Sequence, residues 1–150
     1  QLFGKTRPGA ARVQAICDFV NQRIAFNYND ASVTRTATEA YREGRGVCRD
    51  YAHLAIAFCR AMNIPARYCT CYLGDVGTAP PYPPGDFAAS FEAYLEGGWQ
   101  MFDPRNNVAR IGRVLIARGR DAADVAIATT FGPNVLTSFK VWTDEVAEQA

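Results

Sequence analysis

Gly46-Val47-Cys48-Arg49-Asp50-Tyr51-Ala52-His53-Leu54 sets a cysteine at the opening of a helix. Gly44 and Gly46 break whatever runs into this stretch. From Val47 or Cys48 onward, Tyr51, Leu54, Ala55, Phe58 and Met62 fall three and four residues apart, the spacing of one amphipathic face. Asn63-Ile64-Pro65 ends the helix, because proline cannot continue it and asparagine tolerates a left-handed cap. The placement has a chemical consequence. Backbone N–H groups at a helix start lack partners and carry partial positive charge, so a thiolate is stabilised there. Arg49 adds to this where its head lies near the sulfur. The same N–H groups can hold a developing oxyanion, and a thiolate beside an oxyanion hole is half of an acyl-transfer site. Taken alone, a cysteine at a helix start is usually a structural thiol.

Working outward, residues 1–9 read as an irregular lead-in with Gly4, Pro8 and Gly9. Val13, Ile16, Cys17, Val20 and Ile24 mark a helix from Ala10 to about Phe26, followed by a polar loop at Asn27–Asp30. Thr36 with Glu39 three positions on is a capping box, which predicts a short helix over Ala37–Glu43. Downstream, Ala66–Leu73 reads as a strand. Gly74–Gly85 is a loop holding four prolines, long enough to overhang a cleft. Tyr82 within it reads as irregular cover or as part of a PxxP-type ligand. Phe87–Leu95 alternates as a half-buried strand, Glu96-Gly97-Gly98 turns the chain, and Trp99–Asp103 returns antiparallel. Asp121 caps a short helix through Val125, and Val135–Trp142 reads as a last strand. Helices first and an antiparallel sheet second predict an α+β fold.

The bulk numbers fit one globular domain over residues 1–150, with 49% hydrophobic and 21% charged residues. The first residue is Gln rather than Met, which reads as a fragment of a longer chain or a processed form. A net charge of +1 and a pI near 7.8 leave no electrostatic footprint for nucleic acid or an anionic membrane. The Arg-rich stretch Arg110–Arg120 reads as a solvated face or a carboxylate-pairing site rather than a binding patch. Five cysteines, an odd number, do not form a secreted disulfide pattern. Cys17, Cys59, Cys69 and Cys71 read as small buried hydrophobes in a reducing compartment, so a cytoplasmic location is expected. Cys69 and Cys71 lack the second Cys or His pair of a zinc site, and no metal or cofactor is expected. No apolar run reaches the roughly 20 residues of a membrane span, and oligomeric state is open.

Several segments together resemble bacterial transglutaminase-like proteins, a superfamily with a papain-like fold. The opening stretch is similar to the family's nucleophile motif, and Cys59-Arg60-Ala61-Met62-Asn63-Ile64-Pro65-Ala66-Arg67-Tyr68 to its helix-to-strand passage. Asp86-Phe87, Phe91-Glu92-Ala93-Tyr94-Leu95, Trp99 and Phe102-Asp103-Pro104 are similar to its hairpin. Gly119-Arg120-Asp121-Ala122-Ala123-Asp124-Val125 resembles a later segment, so the likeness covers roughly residues 10–130. The resemblance implies helices packed on an antiparallel sheet and a Cys-His-Asp triad for thiol acyl transfer or amide hydrolysis. Carried across, Cys48 is the nucleophile and Asp103 orients the histidine. The histidine position, directly after Phe87, is Ala88, and Ser90 stands where the family often has an aromatic residue.

Histidine takes the thiol proton and returns one to the leaving amine, so its absence removes the middle of the triad. An ionised Asp103 has no proton to give. His53 is the chain's one histidine. It lies five residues from Cys48 on the same helix, about 140° around it, and faces away. Glu92, four residues along the strand from Ala88, is an unforced alternative base, and Asn106 and Asn107 cannot act as bases. Three readings follow. The chain is a domain with an incomplete triad that binds a peptide or protein ligand in its cleft, an active thiol hydrolase or acyltransferase with a non-standard base, or a plain structural domain. The calcium requirement of some animal relatives finds no acidic cluster here.

Overall fold

A computed structural model describes residues 2–79, 81, 86–142 and 146. The elements run α1 (Ala10–Arg23), β1 (Ala25–Phe26), a 3-10 turn (Tyr28–Asp30), α2 (Ala37–Glu43), β2 (Arg45–Gly46) and α3 (Cys48–Ala61). They continue with β3 (Ala66–Leu73), β4 (Asp86–Leu95), β5 (Gly98–Phe102), β6 (Arg113–Gly119) and a second 3-10 turn (Ala122–Asp124). The expected α+β, papain-like arrangement is present: a helical layer on a four-stranded antiparallel sheet of order β5-β4-β3-β6.

α3 lies in the middle. One side packs on β4 and β3, and α1 and α2 cover the other. That is why Tyr51, Ala52, Leu54, Ala55, Ile56 and Cys59 are all buried, more than one amphipathic stripe would bury. α1 supplies Val13, Ile16, Cys17 and Val20 to the same core and stops at Arg23, before the expected Phe26, because Ala25–Phe26 is drawn into a two-residue parallel ladder with Arg45–Gly46. From β4, Ala89, Phe91 and Ala93 face this core, while Ser90 and Glu92 are buried on the opposite side.

The start of α3 is fixed by Asp50, which is buried. Its carboxylate accepts from the Val47 N–H (2.9 Å), from Arg35 (3.2 Å) and from Arg49 (3.0 Å). Gly46 gives it room: a Cβ there would come within 2.4 Å of the Asp50 carboxylate oxygen. The capping box at α2 forms as expected, with Thr36 accepting from Glu39 N and Glu39 accepting from Thr36 N. Asn63 takes the expected left-handed conformation, with φ 57°.

Of the two readings of Arg110–Arg120 the carboxylate-pairing one holds: Arg110 pairs with Asp75, Arg113 with Asp103 and Arg118 with Glu92. The stretch also contains strand β6, which the sequence reading did not expect. One expectation is corrected. Val135–Trp142 is not a strand. Apart from an isolated bridge at Val141 it is irregular, and Phe139 leans on the Phe87 ring at 5.1 Å. Its β-branched and aromatic content is that of a strand, but it joins no ladder with the sheet, and Val135 remains 85% exposed. Among the described residues no helix is long and apolar enough to cross a membrane.

Candidate active site

The β1–β2 ladder brings Phe26 and Tyr28 beside the start of α3, and α3 in turn sets Cys48 against β4. Between these elements opens a cleft of about 320 Å³ in which Cys48 and Ala88 both take part. The backbone N–H groups of Ala89 and Arg49 lie near enough to the Cys48 thiol to favour its ionised form. Position 88 is therefore adjacent in sequence to a backbone group that influences the thiol, and it carries only a methyl group. Leu73 at the end of β3, and Asp75, Thr78 and Pro81 from the loop after it, border the cleft. Tyr82, offered as cover or as a PxxP-type ligand, lies outside the described residues.

Asp103 sits just beyond β5 and does not line the cleft. Its Oδ1 accepts from the backbone N–H groups of Arg105 (3.1 Å) and Asn106 (3.0 Å). Its Oδ2 accepts from the Asn106 side-chain amide (2.7 Å) and from Arg113. Asn106 itself borders the cleft, so the Asp103 carboxylate is bonded to a residue that lines the thiol's cavity. Cys48 and Ala88 thus share one cleft, and Asp103 is linked to it by its hydrogen bond from Asn106.

The thiolate-stabilising start expected for α3 is not what forms. Burial pushes the Cys48 thiol above its ordinary range. The N–H groups of Ala89 and Arg49 and the charge of Arg105 pull it back, and the Asp86 carboxylate pushes it up again, with a net rise. Arg49 does not aid the sulfur. Its guanidinium donates to the carbonyls of Ser32 (2.6 Å) and Arg35 (3.0 Å) and pairs with Asp50.

His53 turns away as its helical phase predicts. Its Nε2 lies 3.3 Å from Asp121, while its Nδ1 is buried without a partner among the described residues. Glu92 is 5% exposed and is held by Arg67 (2.6 Å) and Arg118 (3.0 Å). Burial raises its proton affinity, but the hydrogen bonds from Arg118 and Arg67 outweigh this and leave its pKa below the usual carboxylate value.

Two cleft residues, Tyr28 and Arg105, escaped the sequence reading. The Tyr28 hydroxyl donates to Asp86 Oδ2 at 2.9 Å, and the Arg105 guanidinium lies over the Phe26 ring at 4.1 Å. Tyr28 and Arg105 come near Cys48 only through the two-residue β1–β2 ladder and the turn after Asp103, too short for periodicity to reveal. Asp86 was visible as part of the Asp86-Phe87 motif, but its pairing with Tyr28 was not.

Residues 1–104 match the family model for the core of the transglutaminase-like superfamily. Over 117 residues, 76% of this chain, the sequence is 32% identical to an uncharacterised protein of Mycobacterium leprae, of which it covers 42%. A solved structure from Cytophaga hutchinsonii, named as that of a proposed cysteine protease, superposes with a TM-score of 0.79 at 42% identity, over 88% of this chain and 44% of its own. A crystal structure of a TGase shares the fold at a TM-score of 0.52 and 11% identity, over 69% of this chain and 28% of its own. The chain spans less than half the length of each of these relatives.

Proposed function

Because the chain belongs to the transglutaminase-like superfamily, we propose that it is a member whose Cys-His-Asp set lacks the middle residue, and that its cleft binds a peptide or protein ligand, as a binding or regulatory module, with little or no turnover. The observation that carries this is the alanine at position 88, in the same cleft as Cys48. A methyl group cannot take a thiol proton or return one to a leaving amine. The raised Cys48 thiol supports the same reading, since an unactivated thiol is a poor nucleophile near neutral pH. So does Asp103, whose carboxylate is occupied by Arg113 and Asn106.

A second reading keeps an active thiol hydrolase or acyltransferase on peptide or amide substrates with a non-standard base. One observation favours it: Tyr28 and Asp86, a hydrogen-bonded pair, line the cavity of Cys48.

Ala88→His separates the two. The variant should gain hydrolysis of a small activated ester such as p-nitrophenyl acetate over wild type, and lose that gain when Cys48→Ala is added. Wild-type turnover that depends on Cys48 and that Ala88→His does not raise would sink the first reading and favour the second.

A further inference from the structure

Arg105 is built into the cleft with its charge unspent. The turn that carries it is pinned at several points. Its backbone N–H donates to Asp103 Oδ1, and its carbonyl accepts from Asn21 at 2.9 Å. The preceding carbonyl, of the buried Pro104, accepts from Asn21 at 3.0 Å. The guanidinium is then held in place by the Phe26 ring beneath it and by one bond, Nη1 to Asn106 Oδ1 at 2.8 Å. Nε and Nη2 have no partner among the described residues, and neither is a buried orphan of the kind found at Arg110 and Arg113. Both donors are therefore open to solvent, on a residue that lines the cleft.

The other charges of the cavity are engaged. Arg110 pairs with Asp75 at 3.0 Å. Asp86 has one oxygen on the Tyr28 hydroxyl (2.9 Å) and the other on the Phe87 N–H (2.6 Å). Arg105 has no carboxylate partner among the described residues, yet its charge reaches the Cys48 sulfur. A planar fork with two free N–H donors, pre-oriented by stacking, matches a carboxylate in bidentate geometry.

We propose that Arg105 makes the Cys48 cleft a receptor for a carboxylate, so that the ligand carries a carboxylate close to the group that meets the sulfur. The inference deepens the reading of the cleft as a ligand site and rests on it. Asp86 opposes any anion entering the cleft, so the Arg105 contribution must be measured as a difference between variants.

The test compares alkylation of Cys48 by iodoacetate and by iodoacetamide, followed by mass spectrometry of the modified peptide. In both reactions the thiolate sulfur bonds to the CH₂ carbon and iodide leaves with its electron pair. The thiolate fraction therefore cancels in the ratio of rates, and only the reagent's carboxylate differs. Arg105→Gln should lower the iodoacetate-to-iodoacetamide ratio about three- to fivefold, the scale of one exposed charge pair. Arg105→Lys should keep it within about twofold, and about 0.5 M salt should erode it in wild type. A ratio that Arg105→Gln leaves unchanged overturns the proposal. Should that variant fail to fold, glutarate should protect wild-type Cys48 from iodoacetamide while the neutral glutaramide does not, and equal effects of the two overturn it. A Cys48 that proves highly reactive toward iodoacetamide alone would contradict the low-turnover reading and leave the ratio test standing.

Discussion

Asn106 donates its side-chain amide to Asp103 Oδ2 at 2.7 Å, and it is Asn106, not Asp103, that borders the cavity of Cys48. That bond occupies an oxygen of the carboxylate that the resemblance assigns to orienting a histidine. Removing the amide in the Ala88→His background should therefore add to the gain. Ala88→His with Asn106→Ala should alkylate at Cys48 with iodoacetamide at pH 7 roughly three- to tenfold faster than Ala88→His alone, the worth of one ordinary hydrogen bond. Equal rates in well-folded variants would mean that Asn106 does not screen Asp103.

Glu92 is a structural carboxylate. Glu92→Gln should cost about 1–3 kcal/mol in denaturant unfolding near pH 7, moderated because Arg67 and Arg118 are partly exposed. The sign with pH follows from its depressed pKa. Its contribution is fully present above the unfolded carboxylate value of about 4.3 and is lost as pH falls through the lower folded value. Wild type should accordingly lose more Tm between about pH 5 and pH 3 than Glu92→Gln does. Parallel losses in the two proteins would remove Glu92 from the account.

Gly46 is required by closeness rather than by flexibility. Gly46→Ala places a Cβ 2.4 Å from Asp50 Oδ2 and 2.8 Å from Asp50 Cγ, so the carboxylate that caps α3 must move. A loss of roughly 2 kcal/mol or more is expected in chemical denaturation. A neutral substitution would mean that Asp50 can shift freely and that the start of α3 is held by something else.

Four of the five cysteines are sealed. Cys17, Cys59, Cys69 and Cys71 are buried free thiols, and burial pushes Cys59 and Cys69 up to about 12. Under native conditions iodoacetamide should modify Cys48 alone, against all five in denaturant. Native modification at Cys69 or Cys71 would show that the sheet opens at β3.

The sequence carried most of the architecture where the signals were local. The spacing of Tyr51, Leu54 and Ala55 marked α3, Thr36 with Glu39 marked α2, and the alternation from Phe87 to Leu95 marked β4. β6 escaped because Arg113 and Arg118 look like a solvated run until Asp103 and Glu92 are brought opposite them by the sheet. Val135–Trp142 misled in the other direction, since strand-like composition says nothing of whether a neighbouring strand will pair with it. At the site, Cys48 and Ala88 were legible through motif resemblance, and the cleft unites them. The raised thiol was not. A helix start favours a thiolate, but desolvation depends on how closely β4 and the β1–β2 ladder cover the sulfur, which no local pattern encodes.

The most direct test of the central claim is the pH dependence of Cys48 alkylation by iodoacetamide in the wild-type protein. The midpoint of the profile reports the thiol's ionisation independently of how accessible the sulfur is. The account predicts a midpoint above the ordinary thiol value of about 8.5, moved downward by Ala88→His. A wild-type midpoint below about 7, with rapid modification at neutral pH, would show an activated nucleophile and contradict it.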